Sequence, residues 1–299
     1  MFKKIVLCML LCVGAVYAKQ LHFVFISNGL DVDPFWNVIK NGINDAAKEV
    51  DARVDYRNSP TGDRTEMARI LQAAISQRPD GIIISIPDKD ALGKDIKRAL
   101  DLKIPVINVN AGVEAGKELG IKNYIGSNEY QGGMLLGEQA KKAGVQSFVC
   151  VNQEITNTVL EQRCQGFADG LGVKNNMLDS SSDPSEIQKR LAPYLDKVDA
   201  VVTLGPVSAG ATIGLLKSKR MKKHFVTFDL SPEIIAGIKE GVLLSAIDQQ
   251  PYLQGYLPVI LLSKYVPYGL LPDGDIYTGP ALVTKENVDL VDKLTGKFR

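Results

Sequence analysis

Short apolar runs alternate with segments of helical periodicity along almost the whole chain. LHFVFIS (21–27) precedes a stretch in which Val38, Ile39, Ile43, Ala46, Ala47 and Val50 recur at helical spacing. ARVDYR follows, then a stripe of Met67, Ile70, Leu71, Ala74 and Ile75, then GIIISI (81–86), a helix over about 90–102, PVINVN (105–110) and YIGS (124–127). The second half repeats the rhythm: SFVCVN (147–152), a helix through Leu160 and Phe167, another over 187–195, AVVTL (200–204), a helix to about Lys217, HFVTFD (224–229), a further helix, and LLSAID (243–248). Strands and helices in alternation predict parallel sheets covered on both faces. Two such series predict an α/β protein of two doubly wound parallel-sheet lobes.

The first eighteen residues stand outside this pattern. Lys3 and Lys4 precede an apolar run ending in the small-residue site Val16-Tyr17-Ala18, which reads as a cleaved signal peptide over 1–18. Leu11 before Cys12 speaks against lipid attachment there, and no later run is long enough to span a membrane. Removing Lys3 and Lys4 leaves 33 basic against 34 acidic side chains, a formal charge of −1, with no electrostatic footprint for nucleic acid. The leader also takes Cys8 and Cys12, leaving Cys150 and Cys164. In an oxidising compartment a disulfide and a pair of buried thiols are equally open readings.

In open parallel sheets, ligands lie beyond the carboxyl ends of the strands. The residues there are Asn28, Asp88, Asn108, Asn110, Glu154, Asn157, Pro206, Asp229 and Gln249. They are rich in amides and poor in fixed charge, which suits a neutral polyhydroxylated ligand. Phe35 and Trp36 open the helix after the first strand, with Pro34 at its favoured early position. Two readings stand for the pair: core packing, or a stacking surface for the ligand.

Catalytic constellations are missing. His22 and His224 sit in separate predicted strands, and no His/Cys cluster has metal spacing, so neither metal nor cofactor is expected. GVEAGKE (112–118) is one residue short of a phosphate loop, and neither GxGxxG after the first strand nor GxSxG occurs. Asp229 or Asp248 as a base would need a nucleophile or metal beside it.

The strand-end segments resemble the periplasmic sugar-binding proteins of ABC transporters, of the ribose-binding type I class. The likeness rests on DPFWNVIKNG (33–42), DGIIISIPDKDAL (80–92), IPVINVN (104–110), IGSNEYQGG (125–133), RCQGF (163–167), VTFDLSP (226–232) and AIDQQPYLQGY (246–256), in order. The resemblance implies that Asp33, Phe35, Trp36, Asn110, Asp229 and Gln249 contact a sugar. The chain departs from it at Ala111 and Glu161, where arginines are usual, and at Ile86 and Gly205, where asparagines are. Arg163 is a candidate contact, its alternative being an ion pair with Glu161. The resemblance further implies a three-segment hinge at Ser127-Asn128, Gln249-Gln250 and Gly279-Pro280. Residues 19–127 with 250–279 would form one lobe, and 128–249 with 280–299 the other.

These readings converge on a monomeric periplasmic receptor that passes a small neutral sugar or polyol to the membrane permease of an ABC importer. A receptor presenting its closed form to a chemoreceptor or sensor kinase is the second reading. A secreted α/β enzyme acting on a sugar is the third. A DNA-binding regulator is disfavoured, since a secretion signal rather than a helix-turn-helix precedes the first strand.

Overall fold

In the computed structural model, which describes residues 19–31 and 33–299, the alternation resolves into two six-stranded sheets. The expected signal segment lies outside the described residues. The first sheet holds β1 (His22–Ser27), β2 (Arg53–Asn58), β3 (Gly81–Ile84), β4 (Val106–Val109), β5 (Tyr124–Ser127) and β11 (Ile276–Gly279), ordered β11-β5-β4-β3-β1-β2 and parallel throughout. The second holds β6 (Phe148–Asn152), β7 (Met177–Asp179), β8 (Ala200–Thr203), β9 (His224–Phe228), β10 (Ser245–Asp248) and β12 (Ala281–Thr284), ordered β12-β10-β9-β8-β6-β7.

β12 runs antiparallel to β10, a departure from the all-parallel expectation. The cause is the connection: β11 passes through Gly279-Pro280 straight into β12 without a crossover helix. A chain leaving one sheet at its carboxyl edge and entering a facing sheet at the same edge must run against that sheet's strands.

Helices cover both faces of each sheet, so the central strands read as continuous apolar runs. In β1, Phe23 and Phe25 meet Ile39 of α1 (Pro34–Glu49) and Val259 and Leu262 of α10 (Pro251–Tyr268). Val24 and Ile26 face the other way, toward α2 (Arg64–Ser76), α3 (Lys89–Asp101) and α4 (Val113–Leu119). The second sheet is sandwiched between α5 (Glu129–Lys142) and α6 (Thr158–Leu171) on one face and α7 (Pro184–Leu191), α8 (Pro206–Lys219), α9 (Pro232–Lys239) and α11 (Val288–Asp292) on the other. α4, α5, β7, β11, β12 and α11 escaped the periodicity; all but α5 are short, and Gly132, Gly133 and Gly137 interrupt the apolar stripe of α5.

α5 and α6 touch backbone to backbone. A Cβ on Gly133 would lie 2.3 Å from the Arg163 carbonyl oxygen, and one on Gly166 would lie 2.1 Å from that of Tyr130. Cys150 of β6 and Cys164 of α6 are joined, their Cα atoms 5.8 Å apart, which decides between the two open readings for these cysteines.

Most helices begin on a capping side chain. Asp33, Asp63, Asp88, Asn128, Asn157, Asp183 and Ser231 each accept a backbone N–H from the first turn of the following helix.

The chain passes between the sheets after β5, after β10 and between β11 and β12, and these segments bond to one another. Asn128 N donates to Gly279 O (3.2 Å), Gln250 Nε2 to Thr278 O (2.6 Å) and Thr278 Oγ1 to Gln249 O (2.7 Å). Gln250 takes a left-handed conformation (φ 53°) that turns the chain from β10 into α10. Residues 296–299 lie against α1 and α10: Asn41 Nδ2 donates to Lys297 O (3.1 Å), Phe298 packs edge-on against Tyr252, and Arg299 pairs with the buried Asp248.

Candidate functional site

Each sheet reverses its strand order next to its first strand, between β1 and β3 in one and between β6 and β8 in the other. Asn28 follows β1 and Glu154 follows β6, so both stand at switch points, where doubly wound sheets leave a crevice. Ser85 Oγ donates to Asn28 Oδ1 (2.8 Å), which turns the amide nitrogen of Asn28 toward Glu154 Oε2 at 3.4 Å. The same oxygen accepts from Asn157 Nδ2 (3.2 Å) and from Arg64 Nη2 (2.7 Å). Glu154 is thereby held by residues of both lobes.

Asn110 and Asp229 occupy equivalent places in the two lobes, immediately after β4 and β9. Both are left-handed, with φ of 61° and 67°, a conformation non-glycine residues adopt at a cost and in which Asn and Asp are enriched. The Asn110 carbonyl accepts from Tyr124 OH (2.6 Å) and its Nδ2 donates to Gln254 Oε1 (3.2 Å). Asp229 Oδ1 accepts from Gln249 Nε2 at 2.5 Å. Burial is the dominant influence on the Asp229 carboxyl and pushes it up to about 8, against the opposing pull of Arg163 and Gln249.

Arg163 is buried, and its partner is Glu129, not Glu161. Its Nε donates to Glu129 Oε2 (2.6 Å), Nη1 donates to Leu204 O (2.6 Å), and the guanidinium lies 4.4 Å from the centroid of the Phe228 ring. Glu161 is exposed, because positions two apart project to different sides of α6. Asp229 Oδ2 is 3.9 Å from Arg163 Nη1. Burial raises the Glu129 carboxyl, while Arg163 opposes the shift.

Asp33 caps α1 through Oδ1 and Phe35 N (3.0 Å), and desolvation pushes its carboxyl up to about 6. The negative charge of Glu154 adds to that shift and Arg163 opposes it. Asp33 in turn raises Asp229, so the acids of the two lobes lie within each other's field. Phe35 and Trp36 meet edge to face with centroids 5.3 Å apart, and the Trp36 ring covers Gly29, whose Cβ would strike it at 2.3 Å. Both rings are about 5% exposed or less and belong to the core beneath α1 and α10.

Three expected residues are not hydrogen-bonded into this convergence. Asp88 caps α3 through bonds from Asp90 N and Ala91 N, and lines a cavity of about 560 Å³ with Ile86 and Thr158. Asn108 points to the face covered by α4, where its Nδ2 donates to Gly112 O (2.8 Å). Alternation alone would send Asn108 and Asn110 the same way; the left-handed backbone at Asn110 (φ 61°), just past the end of β4, breaks that pattern and separates them. Pro206 faces Pro34 across a cavity of about 610 Å³ at the edge of the lobe interface. A third cavity, of about 330 Å³, lies on the hinge side between Gly112, Ser127, Glu129 and Tyr277. Pro34, next to Asp33, lines the second of these cavities, and Glu129, the partner of Arg163, lines the third.

Sequence reasoning missed Arg64 and Glu129. Arg64 opens α2 beyond the loop that follows β2, and the strand-end rule extended to β2 would have reached that loop. Glu129 adjoins the Ser127-Asn128 crossing, yet nothing in its spacing ties it to Arg163, 34 residues on. Among the described residues no group of three or more His, Cys, Asp or Glu is placed to hold a metal ion. Among them also, no helix is long and apolar enough to cross a membrane.

Comparison with known proteins places this geometry. The xylose/arabinose-binding protein XylF of Sulfolobus acidocaldarius is 27% identical over 89% of this chain and 71% of its own. A D-ribose/D-allose-binding protein of Pseudomonas aeruginosa is 27% identical over 84% of this chain and 85% of its own. A carbohydrate transporter from Acidothermus cellulolyticus, solved in complex with myo-inositol, superposes with a TM-score of 0.88 at 33% identity, covering 93% of this chain and 98% of that one. The model of the periplasmic binding protein domain matches residues 23–267, and the chain belongs to that family.

Proposed function

We propose that this protein captures a small polyhydroxylated carbohydrate, a neutral sugar or cyclitol, between its lobes in the periplasm and delivers it to the membrane permease of an ABC importer. The observation that carries this reading is the convergence of hydrogen-bonding side chains from the carboxyl ends of both sheets: Asp33 and Asn110 from one, Asp229 and Gln249 from the other. Phe35 and Trp36, packed beneath α1 next to Asp33, back the convergence with apolar surface. The 33%-identical relative bound to myo-inositol, and relatives named for xylose, arabinose and ribose, support the ligand class. The Cys150–Cys164 disulfide suits an oxidising compartment. Contacts drawn from two lobes are complete only when the lobes are together, so the ligand shifts the population toward the closed form.

Isothermal titration calorimetry with a thermal-shift screen against pentoses, hexoses, their alcohols and inositols tests the reading. Binding within one of these classes, with a rise in melting temperature, is expected. Binding of amino acids or nucleosides in place of every carbohydrate would sink it.

A further inference from the structure

Each arginine near the convergence already holds a carboxylate. Arg163 gives Nε to Glu129 and Nη1 to Leu204 O, and Arg64 gives Nη2 to Glu154 while its buried Nη1 has no partner. Ala111 is buried and uncharged and Glu161 faces outward, so neither brings a cation there. Asp33 is left with one backbone N–H, and Asp229 with one amide and a guanidinium at 3.9 Å.

A second observation points the same way. Gln249 Oε1 is buried with no hydrogen-bond partner, and its own Nε2 is bonded to Asp229, which sets the unused oxygen beside that carboxyl. Gln153 Oε1 is likewise unpartnered. The Gln153 amide reaches the same place, since its Nε2 and Asp229 Oδ2 lie 3.4 and 3.9 Å from where a Cβ on Gly205 would sit. Gln249 Oε1, Gln153 Oε1 and, once ionised, the carboxylates of Asp33 and Asp229 are all acceptors. A hydroxyl brings one donor and no charge, whereas an ammonium brings three donors and the missing positive charge. An ionised carboxylate shut away from water without a counter-charge is costly, and a ligand that supplies one removes that cost.

We propose that the cleft ranks polyols bearing a protonated amine, amino sugars or amino cyclitols, above their neutral parents, with the ammonium on Asp229 and Gln249 Oε1 and within the field of Asp33. This rests on the carbohydrate reading above and changes the preferred ligand from a neutral one to a cationic one. Without ligand, burial keeps Asp229 protonated at neutral pH. An ammonium beside it restores the ionised form, so an amine ligand releases a proton on binding and a neutral one does not.

The test is calorimetry at neutral pH, in two buffers of different ionisation heat, on the pairs glucose and glucosamine, galactose and galactosamine, myo-inositol and an amino-inositol, with the amino analogue of any further sugar that binds. The amine should bind at least about tenfold tighter than its parent (about 1.4 kcal/mol), with buffer-dependent heat for the amine alone. Added salt should weaken the amine and leave the parent unmoved. In Asp229→Asn the ratio should fall to within about twofold, as expected when a charge pair is removed. The proton and salt measurements use the native chain, so they decide the matter even if that variant folds poorly. Neutral parents binding as tightly as every amine would overturn the proposal and leave the carbohydrate reading standing. Failure of all carbohydrates would remove both.

Discussion

Arg64 Nη2 lies 2.7 Å from Glu154 Oε2 and joins the first turn of α2 in one lobe to the loop after β6 in the other. In the proposed hinge motion the bond is made only while the lobes are together, so it stabilises the closed state alone. The side chains are 16% and 26% exposed, which keeps the pair near the surface value of about 1 kcal/mol, or about fivefold in apparent affinity. Arg64→Ala should therefore raise Kd about fivefold. Adding Glu154→Ala to it should cost little more than either change alone; fully additive losses in a double-mutant cycle would show that the two residues do not act as a unit.

Asp229 makes stability depend on pH. An exposed aspartate ionises near 3.8, whereas burial holds this one up to about 8. Through that window the folded protein keeps a proton that the unfolded chain has lost, so stability falls as pH rises. Asp55 and Asp80, held low by their hydrogen bonds and cationic neighbours, change stability in the opposite sense, but only at and below the ordinary carboxylate range. Urea midpoints should thus drop between about pH 6 and pH 8, and Asp229→Asn should flatten that drop. A level profile in the native protein would refute the shift.

The Cys150–Cys164 bond closes a loop with a sequence separation of 14 residues. Chain entropy gives such a crosslink about 3 kcal/mol. Cys150→Ala with Cys164→Ala should lower the melting temperature by about 6 to 12 °C for a chain of this size. Mass spectrometry after alkylation without reductant should find no modified cysteine in the secreted protein.

Trp36 is the sole tryptophan in the sequence, and it is buried over Gly29 next to Asp33. Intrinsic fluorescence should shift when a carbohydrate binds, giving a readout free of labels. Trp36→Ala should cost about 3 to 5 kcal/mol of stability through the cavity it leaves. Trp36→Phe should cost less and weaken ligand binding, and unchanged affinity in that variant would assign the ring to the core alone.

The fold was legible because burial on both faces imposes one uniform signature. GIIISI or SFVCVN can be little else between two helical stripes, and YIGS matches β5 residue for residue. β12 was not read at all, and its direction follows from the Gly279-Pro280 connection rather than from composition. The site was harder. A residue just after a strand is also just before a helix, so the polarity there answers to two demands at once. Asp88 and Asn157 cap α3 and α6, a duty that calls for the same side-chain chemistry, and Asn157 also donates to Glu154. Arg163 was found as a residue but not in its role, because the Glu129 that fixes it arrives from a different helix.

The cap at Asp33 has a consequence for how this cleft can change over evolutionary time. Its carboxyl both starts α1 and faces the other lobe's acids, so any replacement that alters what the cleft prefers is also judged by the helix. Losing the cap to Ala costs about 1 kcal/mol, whereas Asn or Ser keeps it. Selection for a new ligand at this position is therefore confined to a short alphabet of small polar residues. Broad innovation must come instead from strand-end residues that cap nothing, of which Gln249 is one.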